Sequence, residues 1–164
     1  MSPHALPCRG WGQVWCRLWC RLWRRRADLP LLLEAAAGLG LAWAAMRLVP
    51  FGRLAAWLHP RVRRRASPPP AAAEVARVAW AVTVAARLVP WPAVCIHQGI
   101  VAQRLLARRG IPAELYYGVR SAPGTGDIPA DILAHVWVRA GGLDVVGHEV
   151  AGDYVTLASF PSRP

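Results

Sequence analysis

The hydrophobic period of this chain changes once, at Gly110-Ile111-Pro112, and that change restricts the fold to helices first and a sheet second. Before it, Val75, Val78, Ala79, Val82 and Ala86 recur at helical spacing within residues 71–88, and Pro90 and Pro92 stop that helix. A second helix begins at Cys95 and runs through Val101, Leu105 and Leu106 to Gly110, which follows Arg108 and Arg109 in the manner of a C-terminal cap. After the change, residues 114–119 (ELYYGV) read as a strand, 120–130 as a Gly/Pro loop, and 134–140 (AHVWVRA) alternate as a strand does. Gly141-Gly142 signals a hairpin into a strand near Asp144 to Val146, and residues 154–160 form a last strand. Helices followed by an antiparallel sheet make an α+β fold.

Upstream, the character of the chain differs. Residues 1–65 hold twelve of the twenty Arg with only Asp28 and Glu34 against them, so they carry +10 of the total +11, and there is no Lys. Charge concentrated in this way implies an acidic partner for the arm. In residues 11–26 (WGQVWCRLWCRLWRRR), Trp11, Trp15, Trp19 and Trp23 stand four apart beside Arg17, Arg21 and Arg24 to Arg26, a pattern suited to a helix lying on a membrane surface. The tandem WCRL also fits low-complexity sequence. Residues 29–46 are strongly apolar, but Glu34 interrupts them and Arg47 and Pro50 close them, so a buried or membrane-resting helix is expected rather than a spanning one. A short helix over 51–58 ends at His59-Pro60, and the basic, Pro-rich 61–70 (RVRRRASPPP) forms a linker. The expected organisation is an arm at 1–28, a helical segment at 29–66 and a globular domain at 67–164.

The four Cys (Cys8, Cys16, Cys20, Cys95) form no C-x-x-C pair, which argues against a disulfide framework and points to a reducing cytoplasm, with the arm available to a membrane. His4 with Cys8, Cys16 and Cys20 matches no standard zinc spacing, so neither metal nor cofactor is called for. No reading module for nucleic acid accompanies the Arg-rich arm, and no nucleic-acid partner is expected.

Cys95 stands apart from the other three. The run PWPAVC sets it in the first turn of a helix, where exposed N–H groups and the positive end of the helix dipole stabilise an anion and so suit a nucleophile. The bland reading is an apolar Cys filling space. His135 shifts the balance, because a polar residue among Val and Trp of a strand needs a partner, and a helix-start Cys with a later strand His is the papain-like and transglutaminase-like arrangement. His97, two residues after Cys95, points to another side of the helix and lines the site or the surface.

Over residues 29–161, the runs VPWPAVCIHQGIVAQRLLARRGIPAELYYGVR, AHVWVRAGG and VVGHEVAGDY, with the closing SFP, resemble the protease half of the lasso-peptide B proteins. The apolar residues 30–58 are similar to the helical N-terminal segment of that family. The resemblance implies a transglutaminase-like cysteine peptidase that cuts a ribosomally made precursor between leader and core, with Cys95 as nucleophile, His135 as base and an acid orienting the imidazole. It further implies an ATP-dependent macrolactam synthetase as partner. Residues 1–65 show no strand pattern of a leader-binding winged helix, so a separate leader-recognition protein is expected. The chain departs from many members at Gln98, where Arg is common, and at Val136, where Ala is. A cysteine acyltransferase on the same fold and a non-catalytic membrane adaptor are the competing readings.

Asp144 and Glu149 are the candidates for the orienting acid, and the hairpin decides between them. A two-residue turn at Gly141-Gly142 pairs Ala140 with Leu143, Arg139 with Asp144 and His135 with His148, leaving Asp144 about 13 Å from His135 at ~3.3 Å per residue. A three-residue loop, Gly141 to Leu143, shifts the register by one and sets Glu149 across from His135. An acid just after the VVG run is also what the resemblance favours, so Glu149 is the expectation.

Overall fold

The computed structural model describes residues 28–49, 59–62, 72–121 and 132–163. The Trp stripe, Cys8, Cys16, Cys20, the helix expected at 51–58 and the loop at 122–130 lie outside them. By compactness the chain divides into Met1–Pro30 and Leu31–Pro164. Within the second unit, Arg61 forms a parallel bridge with Arg163, which ties the start of the expected linker to the end of the sheet.

Three helices, α1 (Leu29–Leu48), α2 (Ala72–Leu88) and α3 (Cys95–Arg108), precede the sheet. The strands are β1 (Glu114–Ser121), β2 (Ile132–Ala140), β3 (Leu143–Val146) and β4 (Val155–Pro161), with a 3-10 helix, η1 (His148–Asp153), before the last. The sheet is antiparallel in the order β3-β2-β1-β4. This is the expected α+β arrangement; the sequence reading missed η1, whose six residues are too short for a period to show.

The faces follow from the period. Leu31, Ala35, Leu39, Ala42 and Ala45 are the buried stripe of α1, and Val75, Val78, Ala81, Val82 and Ala85 that of α2. Both join a single core with Ile100, Val101, Leu105 and Leu106 of α3 and Leu115, Val136, Val138 and Ala140 of the sheet. Full burial of each Val or Leu contributes roughly 1.5–3 kcal/mol. Arg109 fastens the helices at one end, bonding Glu34 of α1 at 2.7 Å and Glu74 of α2 at 3.1 Å. Burial raises the Glu34 pKa, but hydrogen bonds from Arg109 and Arg108 outweigh it and the net direction is down.

Two residues fix α3 against the sheet. Gly99 permits close approach, since a Cβ there would lie 2.7 Å from Cγ1 of Val136. Gln103, fully buried, donates from Nε2 to the carbonyls of Ala113 and Phe160, joining α3 to the start of β1 and the end of β4.

Candidate active site

Cys95 is the first residue of α3, half-buried against the core. Its backbone approach is braced by its own helix. The Val94 carbonyl accepts from the N–H groups of His97 (3.0 Å) and Gln98 (3.2 Å), while the Val94 N–H donates to Nδ1 of His97 at 3.2 Å. This places His97 in the role that Glu or Gln fills in a capping box. The amide of Gln98 donates to the Ala93 carbonyl at 2.8 Å. The position where Arg is common in the resembling proteins is thus given to holding the segment before the cysteine. The N–H groups of Cys95 and Ile96 remain in the first turn, where a helix supplies no internal acceptor.

His97 is buried at 7 % exposure, which excludes the surface, one of the two places expected for it. The reason is its bond to Val94, which draws the ring onto the helix end. Burial lowers its pKa, favouring the neutral ring whose Nδ1 accepts. A folded-state pKa below the unfolded one contributes stability above the ordinary His value, and that contribution is lost as pH falls through the folded value. Acidification from about pH 7.5 to about pH 5 should therefore lower the melting temperature more steeply in the native chain than in His97→Gln, whose Oε1 accepts without titrating. Equal slopes in thermal melts would contradict the assignment.

His135 lies half-buried in β2, directly across from Gly118 of β1, and the space left by that glycine is filled by the Trp137 ring. Its Nε2 is 2.7 Å from the carbonyl oxygen of Gly147. A carbonyl only accepts, so Nε2 carries the proton and Nδ1 is left as the basic nitrogen. Tyr154 packs against the ring at 5.1 Å between centroids, and Trp137 stacks at 6.2 Å. Arg120 sits over Tyr154 at 5.2 Å.

Helix and strand geometry relates the two residues. Gly99 lies over Val136 and Val138. Because Val136 faces α3, the Cβ of His135 leaves β2 on the opposite face. The helix that carries Cys95 and the His135 side chain therefore lie on opposite faces of β2, and among the described residues no hydrogen bond joins Cys95 to His135.

The hairpin overturns the argument for Glu149. Gly141 and Gly142, at φ 56° and 84°, form a two-residue turn with Ala140 opposite Leu143 and Arg139 opposite Asp144. The three-residue loop is absent. A bulge then shifts the register by one, so that Val138 faces Val146, and continuing that register would set Glu149 opposite His135. The strand stops first: Gly147, at φ 74°, turns the chain into η1, where Glu149 is exposed. Asp144 is engaged elsewhere, 3.0 Å from Arg139. What holds the imidazole is the Gly147 carbonyl, which no search for acids would find; the only signal was a Gly where the strand ends. Among the described residues no three His, Cys, Asp or Glu gather as a metal site would require.

Compared with known protein families, residues 39–159 match the Transglutaminase-like superfamily. No curated protein and no solved structure matches.

Proposed function

The chain belongs to the transglutaminase-like superfamily, whose members are generally cysteine-dependent enzymes, and within it we propose a cysteine peptidase that removes the leader from a ribosomally made lasso-peptide precursor. The observation that carries this reading is the match of residues 39–159 to that superfamily, which spans both Cys95 at the start of α3 and His135 in β2. The order of motifs around Cys95, His135 and Gly147 supports the substrate class.

In the proposed reaction, substrate binding brings His135 and Cys95 together, Nδ1 of His135 takes the thiol proton, and Sγ of Cys95 attacks the carbonyl at the leader–core junction. The oxyanion is received by the first-turn N–H groups of α3, Cys95 and Ile96. Nδ1 then returns the proton to the departing amine of the core peptide. Water, deprotonated by the same nitrogen, resolves the thioester and frees the leader carboxylate. The organisation proposed is an arm at 1–28, a helical segment at 29–66 and the catalytic domain at 67–164. A separate leader-recognition protein presents the substrate, and a macrolactam synthetase closes the released core, in the cytoplasm.

The test is incubation of a leader–core peptide with the full chain and a leader-recognition protein, followed by mass spectrometry. Two fragments that sum to the peptide plus one water are expected. An amide adduct formed only with added amine would make the protein an acyltransferase, and an intact peptide under all conditions would leave the adaptor reading.

A further inference from the structure

The outer face of α1 is apolar where a surface helix is ordinarily polar. Opposite the buried stripe, Leu33, Leu41 and Leu48 are 69, 60 and 81 % exposed, and at spacings of eight and seven residues they share one side of the helix with Ala37. By length and composition α1 could cross a membrane, but the side bearing Leu31, Ala35 and Leu39 is part of the protein core, so only the other side is available. Such a helix can lie in a membrane surface and cannot span it.

The charge beside this face is cationic. A cleft of about 190 Å³ between α1 and α3 is walled by Ala37, Leu41, Ile100 and Leu105, and it is also lined by Glu34, Arg104 and Arg108. Arg108, whose side chain is 63 % exposed, bonds Glu34 at 2.9 Å, and Arg109 is divided between Glu34 at 2.7 Å and Glu74 at 3.1 Å. At the end of the helix, Arg47 lies over the Trp43 ring at 4.5 Å, its stem along the apolar body and its charge at the edge.

We propose that this face docks on a bilayer containing anionic phospholipid, with Leu33, Leu41 and Leu48 entering the acyl boundary and the exposed Arg47 and Arg108 meeting lipid phosphates. The arrangement would hold the peptidase flat on the membrane through its folded unit, whatever the N-terminal arm adds. It is independent of the reaction proposed above.

Flotation of the full chain with phosphatidylcholine vesicles, with and without phosphatidylglycerol, tests it. The native chain should float with the anionic vesicles and be released by high salt. Leu33→Gln/Leu41→Gln, at exposed positions, should bind roughly tenfold more weakly with its circular dichroism unchanged. Unchanged flotation of the double variant would overturn the proposal and leave any binding to the arm. It would be overturned equally if the native chain stayed unbound, or if the double variant floated normally but lost cleavage only in the presence of the leader-recognition protein, which would make the face a protein interface.

Discussion

Replacing Cys95 by Ala should abolish leader cleavage, by roughly 10⁴-fold or more, because no other group in the proposed mechanism can form the acyl-enzyme. The protein should remain folded. Cys95 is only half-buried at the helix end, and removing one sulfur from such a place costs about 1 kcal/mol, a small part of a domain's stability. The brace around it involves His97, Gln98 and Val94 backbone and does not include the thiol. Peptide cleavage and far-UV circular dichroism measured on the same preparation check both halves. Cleavage at the native rate in Cys95→Ala would remove the nucleophile from the account, and Cys8→Ser, Cys16→Ser and Cys20→Ser should each cleave normally.

The second large effect is expected at Gly147, a residue with no side chain to offer. Its φ of 74° is costly for any residue with a Cβ, and an added Cβ would lie 2.5 Å from the Val136 carbonyl and 3.2 Å from Nε2 of His135. Gly147→Ala must therefore shift the carbonyl that fixes the imidazole tautomer. A loss of kcat of about 10²-fold is expected, with a displaced pH–rate profile as the ring loses its acceptor. The displaced profile separates positioning from a merely weakened fold, which would lower the amount of active protein without moving the pH dependence. Glu149→Gln, exposed in η1, should change kcat by less than about threefold. A tenfold loss there with a tolerated Gly147→Ala would restore the orienting role to the carboxylate.

Much of this was legible before the structure, for physical reasons that particular residues make plain. The change of period at Gly110 correctly separated helices from sheet, because amphipathic spacing reports which side of an element faces the core. The helix start at Cys95 and the strand at His135 were legible for the same reason. The hairpin was legible as a hairpin, since Gly141-Gly142 supplies positive φ at both turn positions, but its consequence was not. The bulge beyond Arg139 and the exit at Gly147 depend on how β3 packs and ends, and no period extends over four residues. For His97 the sequence left site and surface both open, because a neutral imidazole capping a helix looks, in sequence, like any His near a Cys. Gln98 and Gly147 act through hydrogen bonds involving main-chain carbonyls, which residue type alone does not announce.

The central claim is a covalent thioester on Cys95 formed with the help of His135, and rapid acid quenching of the full chain during turnover tests it most directly. Intact-mass analysis should find the chain heavier by the leader peptide less one water. Peptide mapping should place that mass on Cys95, hydroxylamine should remove it, and His135→Gln should suppress its formation. No adduct during demonstrated cleavage, or an adduct on Cys8, Cys16 or Cys20 with Cys95 unmodified, would contradict the account.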